Sequence, residues 1–242
     1  MKRASKTKVL CIIVICLFGC VNERKEYINI EISKDISLEE SDLYLEKDQY
    51  LPIGTIIKHK ESEEKIMITD TGIVLYKQGV NIQYDYAGIS YPLGVIDFEH
   101  FIAFNEKGIE KIYQLGYINK EFLKFADLLL DELDFKNETG FQDLLSEEIS
   151  QEWAMEFYDS GLLFPLGTVF EIQGDYMIII GYCMKEEGKE EIYDYLVTFF
   201  PYGRLNSELR VINQEEIPRD SIRFLGYIDE DYLDFFLTDD NR

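Results

Sequence analysis

The sequence has 242 residues, and its 24 Lys and Arg against 47 Asp and Glu give a formal net charge of −23. This charge argues against nucleic acid as a partner and against electrostatic docking on anionic lipid, because both need basic side chains. A hydrophobic fraction of 46% is sufficient for a folded core. At roughly 150 residues per domain, the length fits one or two domains.

The segment 1–19 has the composition of an export signal. A basic start without acidic residues leads into the apolar run 9–18, which is shorter than the roughly 20 residues that span a bilayer. The run ends at Leu17-Phe18-Gly19-Cys20, which resembles the lipobox of bacterial lipoproteins. In that family the cysteine thiol takes a diacylglyceryl group, and the chain is cut just before it. We therefore predict a lipoprotein signal peptide over 1–19. An uncleaved signal anchor and an ordinary signal peptide are the alternatives.

A lipid on Cys20, with palmitate among its acyl chains, would hold the mature protein on the extracellular face of the cell membrane. The acidic stretch 20–47 is then predicted to be a tether, with a reach of roughly 29 Å as a flexible coil. Of the 4 cysteines in the sequence, Cys11 and Cys16 would leave with the signal. With lipid on Cys20, Cys183 is the one remaining thiol, so no disulfide within the chain is expected.

The rest of the chain is one unit written twice. Six short segments, which we call the repeat anchors, occur in the same order in both halves of the chain. The residue numbers of the six matched pairs differ by 113, 110, 109, 109, 110 and 110. The six anchors are Leu51–Thr55 with Phe164–Thr168, Ile66–Ile68 with Tyr176–Ile178, Tyr84–Tyr86 with Tyr193–Tyr195, Tyr91–Gly94 with Phe200–Gly203, Leu115–Ile118 with Leu225–Ile228, and Phe122–Leu123 with Tyr232–Leu233. The change from 113 to 110 predicts a three-residue deletion in the first hairpin of the second copy.

Turn and helix signals divide each copy into short elements. Apolar-Pro-x-Gly occurs twice per copy, and we predict a type I turn at each occurrence. The β-branched and aromatic runs between these turns predict antiparallel strands. Helices are predicted over 119–135, with Asn119 as the N-cap, over 141–158, and over 229–237.

These elements predict an α+β fold of two tandem small antiparallel β-rich domains. Each domain is closed by a C-terminal helix, and a helical connector joins them. We place the first repeat domain at 48–136, and the connector helix with the second repeat domain at 137–242.

The order of these motifs resembles a bacterial family, "domain of unknown function 4176". The resemblance rests on L-P-[IL]-G-[ST], M-I, Y-D-Y, Y-P-x-G and G-Y-[IV] before an acidic helix, over about 50–125 and 163–236. Family members usually have one such unit and no signal sequence, and they are often encoded near type VII secretion toxins. The resemblance therefore implies a partner or chaperone role. This chain departs from the family pattern because it has two such units and a predicted lipid attachment at Cys20.

We predict no catalytic residue, metal ligand or cofactor. His59 and His100 are the two histidines, neither recurs in the other copy, and a zinc site needs three or four ligands. Cys183 ends an apolar strand, which predicts a buried structural thiol. The acidic runs, such as Glu61 to Glu64, lack the spacing of a calcium-binding loop and are expected to form a solvated face.

The repeated Tyr-Asp-Tyr motif supplies the candidate partner-binding residues, which are Tyr84, Tyr86, Tyr193 and Tyr195. On a strand, the two tyrosines of each motif share one face and the Asp lies on the other. Either the tyrosines pack the sheet while the Asp binds a turn amide, or they form an exposed patch for a partner.

The sequence therefore predicts an exported, lipid-anchored protein-interaction module. The family resemblance implies an accessory or immunity role linked to type VII secretion toxins. An acidic surface suits a basic protein partner, with binding that weakens as the salt concentration rises. The alternative is an envelope lipoprotein that binds a ligand or acts on glycan, which requires a concave pocket with converging polar groups. The sequence does not define the oligomeric state.

Overall fold

Two five-stranded antiparallel sheets follow one another along the chain in a computed structural model. The structure describes residues 33–37, 50–77, 79–95, 101–132, 146–185, 191–204 and 207–237. In these ranges no helix is both long enough and apolar enough to cross a membrane. The predicted signal peptide, Cys20 and His100 lie outside the described residues.

The first sheet belongs to the first repeat and has the strand order β4-β3-β2-β1-β5. Its strands are β1 (Ile56–His59), β2 (Lys65–Lys77), β3 (Val80–Tyr91), β4 (Ile102–Phe104) and β5 (Ile109–Gln114). A 3-10 helix at Glu106–Gly108 precedes β5, and helix α1 (Lys120–Glu132) follows it. The side chain of Asn119 accepts hydrogen bonds from the N–H groups of Glu121 and Phe122, which confirms the predicted N-cap.

The second sheet repeats this arrangement, with the strand order β10-β6-β7-β8-β9. Its strands are β6 (Val169–Ile172), β7 (Asp175–Lys185), β8 (Ile192–Phe199), β9 (Leu209–Ile212) and β10 (Ile222–Phe224). Helix α2 (Gln151–Asp159) precedes this sheet and helix α3 (Glu230–Leu237) follows it, with 3-10 helices at Gln214–Glu216 and Arg219–Ser221. Each antiparallel sheet is thus closed by a C-terminal helix, which confirms the predicted α+β fold.

The connector helix is shorter than the range 141–158 predicted for it. Residues 146–150 are not helical, and α2 begins at Gln151. The Ser150 side chain accepts a hydrogen bond from the N–H of Trp153 and caps the helix. The helix prediction was wrong over 146–150 because the backbone of this segment bonds to the sheets instead, as described below; residues 141–145 lie outside the described part.

The prediction of a type I turn was also wrong at the first turn of each repeat. The N–H of Thr55 donates to the carbonyl oxygen of Pro52 at 3.2 Å, and Gly54 has a φ of 88°. A positive φ at the third turn position belongs to type II rather than type I. At the later turns, the Tyr91-Pro92 and Phe200-Pro201 peptide bonds are cis.

Strand pairing moves one anchor of the repeat by one residue. The N–H of Gly54 donates to the carbonyl oxygen of Ile68, and the N–H of Gly167 donates to that of Ile179. Ile68 and Ile179 are therefore equivalent, so the predicted match of Ile68 with Ile178 was wrong. A one-residue slip would place every side chain on the opposite face of the sheet. The first hairpin of the second repeat is consequently two residues shorter, not three.

A single hydrophobic cluster joins the two repeats. It contains Ile56, Ile66 and Ile112 from the first sheet and Phe170 and Ile178 from the second, and each of these is inaccessible to solvent. The helices α1 and α3 add Phe122 and Tyr232 to the same cluster. Because the cluster is continuous, the two repeats pack against each other.

Each repeat docks the turn after its third strand on a bulge in the long strand of the other repeat. The N–H of Val95 donates to the carbonyl oxygen of Ile180 at 3.0 Å. In the reverse direction, Gly203 lies so close to Thr69 that a Cβ atom on the glycine would be 2.5 Å from the Thr69 carbonyl oxygen. These equivalent contacts relate the two repeats by approximate two-fold symmetry.

Candidate functional site

Two of the four candidate tyrosines are core residues. Tyr86 and Tyr195 are buried, and their hydroxyl oxygens accept hydrogen bonds from the N–H groups of Leu51 at 3.0 Å and Phe164 at 2.7 Å. Burial raises the pKa of both hydroxyls well above the usual value. These two side chains hold the first turn of each repeat against its sheet, and they are not available to a partner.

The remaining residues of the two Tyr-Asp-Tyr motifs agree in part with the first alternative, in which the tyrosines pack the sheet and the Asp binds a turn amide. Tyr84 and Tyr193 are half-buried. Asp85 accepts a hydrogen bond from the N–H of Glu106 at 2.9 Å, and Asp194 accepts one from the N–H of Gln214 at 2.7 Å. Each Asp therefore binds the first N–H of a 3-10 helix, as the sequence predicted for a turn amide.

The remaining polar candidates, His59 and Cys183, lie in strands β1 and β7. The Nδ1 atom of His59 accepts a hydrogen bond from the N–H of Glu61 at 3.2 Å, and its ring lies 5.4 Å from that of Phe104. Cys183 is half-buried in β7. Among the described residues, no group of three or more His, Cys, Asp or Glu side chains could hold a metal ion.

The long hairpin of the first repeat extends beyond its sheet. Strand β1 pairs with β2 only over Lys65–Met67, and β4 pairs with β3 only over Tyr86–Gly88. Past these points β2 and β3 pair with each other, from Ile73 opposite Tyr84 to Lys77 opposite Val80. We call the segment from Ile73 to Tyr84 the ribbon; Gln78 at its tip lies outside the described residues.

The ribbon exposes apolar side chains on both of its faces. Val74 and Tyr76 are 58% and 75% exposed, and Val80 and Ile82 are 60% and 37% exposed. Val80 lies opposite Lys77 and Ile82 opposite Leu75, so these two side chains share the face that Val74 and Tyr76 do not occupy. An apolar ribbon of this kind is a typical site of protein contact.

The ribbon also differs in charge from the protein as a whole. From Thr71 to Tyr84 the sequence has no Asp or Glu, and its one charged residue is Lys77, although the chain carries a net charge of −23. The Lys77 ammonium lies 6.0 Å from the centre of the Tyr84 ring. The ribbon is therefore an apolar, nearly neutral surface on a strongly acidic protein.

The second repeat does not need an apolar ribbon at the equivalent place. The pair Met184 and Tyr193 has the register of Ile73 and Tyr84. Between the paired residues, the first repeat has the sequence VLYKQGVNIQ, whereas the second has KEEGKEEI. Since β7 and β8 still pair at Lys185 and Ile192 beside this charged sequence, the apolar residues of the first ribbon are not required for the strands to pair.

Sequence reasoning missed two short segments that connect the repeats. Ser33–Ser37 reads SKDIS and Ser146–Ser150 reads SEEIS, so both follow the pattern Ser-x-acid-Ile-Ser. We call them the first arm and the second arm. Ser146 follows Ser33 at the same spacing at which Gly167 follows Gly54, and this shared spacing is the signal that could have revealed them.

The first arm lies across the junction of the repeats. The Ser33 N–H donates to the carbonyl oxygen of Ile228 at 2.8 Å, and the Ile228 N–H donates back to the Ser33 hydroxyl at 3.0 Å. The Ile36 N–H donates to the carbonyl oxygen of Tyr113 in β5 at 3.1 Å. Because Tyr113 belongs to the first repeat and Ile228 to the second, the arm binds both. It also lies inside the range 20–47 predicted as a tether.

The second arm makes equivalent contacts through its serine and its isoleucine, with the roles of the repeats exchanged. Ser146 and Ile118 exchange two hydrogen bonds, of 2.9 Å and 2.8 Å. The Ile149 N–H donates to the carbonyl oxygen of Arg223 in β10 at 3.0 Å, and the hydroxyl of Tyr117 donates to Glu148 at 3.3 Å. The two arms therefore obey the approximate two-fold symmetry of the repeats.

Charged groups at the first arm stabilise its docked position. The Lys111 ammonium lies 2.6 Å from the Asp35 carboxylate, and the Tyr227 hydroxyl donates to the same carboxylate. Although partial burial acts to raise it, the pKa of Asp35 is lowered from its usual value by these two hydrogen bonds. Nearby, Lys65 contacts Asp229 and Asp231, each at 2.5 Å, across the junction of the repeats.

Comparison with known proteins gives one match. The family model "Domain of unknown function (DUF4176)" matches twice, at residues 50–125 and 163–235, which correspond to the two repeats. No curated protein and no solved structure matches the chain. Both arms lie outside the matched ranges.

Proposed function

This chain belongs to the DUF4176 family as a tandem member, and we propose that it is an exported, lipid-anchored protein that binds another protein at the cell surface through the ribbon. Its partner would be a protein of the envelope or a secreted toxin, for which the chain acts as an accessory or immunity factor. The observation that carries the proposal is the exposure of Val74, Tyr76, Val80 and Ile82 on the ribbon.

The chemistry of the ribbon supports protein binding. Tyrosine is enriched among the residues that contribute most to interfaces, and Tyr76 is the most exposed of the four side chains. Fully burying an aliphatic side chain such as Val74 or Ile82 contributes about 1.5–3 kcal/mol relative to leaving it exposed. An extended partner segment could also pair with the outer edge of β2 or β3 by strand addition.

The charge pattern defines the partner further. The centre of its contact surface would be apolar, to match the ribbon, and its margin would be basic, to match the acidic protein. Charge attraction at the margin mainly speeds association. Salt should therefore slow association, while contacts with the nearly neutral ribbon should depend little on salt.

The lipid anchor is supported by the sequence of the export signal, and the position of the first arm sets its reach. If Cys20 carries the lipid, only residues 21–32 separate it from the docked Ser33. A chain of this length reaches at most about 43 Å. The body would then stay close to the membrane, at a position suited to meeting proteins of the cell surface.

The proposal is tested by crosslinking and affinity purification of the tagged chain from its source cells. Three forms are compared: the native chain, a ribbon variant with Tyr76→Ser and Val80→Asn, and a control variant with Met155→Ser. Met155 is an exposed apolar residue of α2, 43% accessible. Exposed substitutions of this kind usually change stability by less than about 0.5 kcal/mol, so all three forms should fold.

We expect one protein partner in near-equal amount with the native chain and with the Met155→Ser control, and its loss with the ribbon variant. Equal recovery with the ribbon variant would contradict the ribbon as the binding surface. Recovery of the native chain without any protein partner would contradict the interaction function and favour a small ligand or a glycan.

A further inference from the structure

The site that holds the first arm recognises a defined peptide pattern, and we propose that it also accepts the first arm of a second copy of this chain. Two copies would then exchange arms and form a closed dimer. This proposal goes beyond the proposed function, because it involves neither the ribbon nor the lipid. It rests on the two arms, their contacts and their different attachments to the body.

The site recognises three features of the arm. Ser33 exchanges two hydrogen bonds with the backbone of Ile228, which requires a small side chain with a hydroxyl group. The carboxylate of Asp35 is bound by Lys111 and by Tyr227. Ile36 donates its N–H to β5 and packs its side chain against the core. The ligand is therefore an extended segment with the pattern Ser-x-acid-Ile.

The second arm shows that this pattern is a rule of recognition rather than one accidental contact. Ser146, Glu148 and Ile149 bind the equivalent site through the same types of hydrogen bond. The match is closest at the serine and the isoleucine. At the acidic position Tyr117 donates to Glu148 as Tyr227 donates to Asp35, but Ser221 stands at the position equivalent to Lys111. The Lys111 contact is thus specific to the first site.

The two arms differ in how firmly the neighbouring chain holds them. The second arm leads directly into α2, whose Ala154 and Phe157 are buried in the core. The first arm is 42% exposed at the Asp35 side chain, and its partner Lys111 is 27% exposed. An ion pair with this exposure contributes little to stability. Both arms expose their acidic side chain, so the attachment to α2 is what distinguishes them, and the first arm is the one assigned to exchange.

Chain length allows the exchange. The arm ends at Ser37, and the next described residue is Tyr50, so the segment 38–49 links the arm to the body. This segment reaches at most about 43 Å, which is sufficient to place the arm on a neighbouring copy. For short linkers the effective concentration of a tethered segment is about millimolar. Exchange is therefore expected where copies are concentrated or where the site in the same chain is mismatched.

Charge reversal at the pair Asp35 and Lys111 gives a direct test with the full chain in detergent. In the Asp35→Lys variant, the substituted arm is repelled by Lys111 of its own site. In the Lys111→Glu variant, Asp35 is repelled by the substituted site. When the two variants are mixed, both arms find an oppositely charged site only on the other copy. The double variant, which carries Asp35→Lys and Lys111→Glu in one chain, restores opposite charges between the arm and the site of the same chain.

We expect each single variant and the double variant to sediment as monomers of 28.4 kDa, and the equimolar mixture to form a one-to-one complex. Apparent affinity in the mixture should exceed self-association of either variant at least about tenfold, which corresponds to about 1.4 kcal/mol. Both substitutions are at exposed or half-exposed side chains, and an unchanged cooperative melting curve of each variant checks the fold. A mixture that remains monomeric at up to about 1 mM, the effective concentration typical of a short linker, would overturn the proposal.

Discussion

Asp70 and Arg204 form a buried ion pair across the junction of the two repeats, with 3.0 Å between the Asp70 Oδ2 and Arg204 Nε atoms. The side chains are 0% and 3% exposed. At the position related by the approximate two-fold symmetry, Gly181 and Val95 replace the two charges, and a Cβ atom on Gly181 would lie 3.4 Å from the Cβ atom of Val95. The two halves of the junction thus have the same backbone contacts and different chemistry.

Removing one charge of this pair should be more harmful than removing both. The Arg204→Val substitution leaves the buried Asp70 carboxylate without its cation, which typically costs about 3–5 kcal/mol. The double variant Asp70→Gly with Arg204→Val copies the apolar half of the junction and should recover at least half of that loss. Denaturant unfolding of the native, single and double variants measures both values. A double variant that is less stable than Arg204→Val would contradict this interpretation.

The close approach of Gly54 and Gly167 at the centre of the junction should also limit substitution. A Cβ atom on Gly54 would lie 2.9 Å from the Cδ1 atom of Ile178 and 3.5 Å from the Cα atom of Gly167. The Gly54→Ala substitution therefore adds a steric cost to the cost of a positive φ. Gly174→Ala is the matched control, because Gly174 has a φ of 92° and no atom within 4 Å of its Cβ position.

We expect Gly54→Ala to lower the free energy of unfolding by at least about 1 kcal/mol more than Gly174→Ala does. Thermal or denaturant unfolding of the two variants in the same buffer gives this difference. Equal losses would mean that Ile178 of β7 does not pack tightly on Gly54 as described.

The contacts of Lys65 predict a loss of stability in alkali. Although partial burial acts to lower it, the pKa of Lys65 is raised from its usual 10.5 by hydrogen bonds to Asp229 and Asp231. A raised pKa in the folded state means that the stabilisation is fully present below the unfolded pKa and is lost as the pH rises through the folded pKa. The difference in unfolding free energy between the native chain and Lys65→Met should therefore be constant up to about pH 10 and then decrease. A difference that grows above this pH would contradict the assignment.

Lipidation of Cys20 is a separate prediction from the export signal. The Cys20→Ala variant should not incorporate a clickable palmitate analogue in the source cells, because the proposed acceptor thiol is absent. The Cys183→Ala variant is the control and should be labelled normally. The membrane fraction after an alkaline wash provides the second measurement. Normal labelling or normal membrane retention of Cys20→Ala would exclude the lipid anchor on this residue.

Local sequence patterns were sufficient to predict the repeats, the antiparallel strands and the closing helices. The N-cap at Asn119 and the role of Asp85 could be predicted because both depend on side chains that bind backbone N–H groups nearby in the sequence. Tyr84 and Tyr86 could not be distinguished from sequence, since both lie on the same face of β3. The difference in burial comes from Phe104 and Tyr50, which pack on the Tyr86 ring from other parts of the chain.

The arms and the ribbon depend on contacts between distant segments, which local patterns do not reveal. Ile149 continues a four-residue apolar spacing towards Trp153, so the sequence favoured a helix, but the residue reaches the core from an extended arm. The ribbon becomes an exposed surface only because β1 and β4 are much shorter than β2 and β3. Strand length relative to neighbouring strands is set by register, which single strands do not encode.

A photoreactive amino acid at position 76 tests the central claim of a protein-binding ribbon most directly. The residue replaces Tyr76 in one sample and Met155 in a control sample, and both samples are irradiated in intact source cells. The account predicts a covalent adduct with one protein from position 76 and no such adduct from position 155. No adduct from position 76, or the same adduct from both positions, would contradict it.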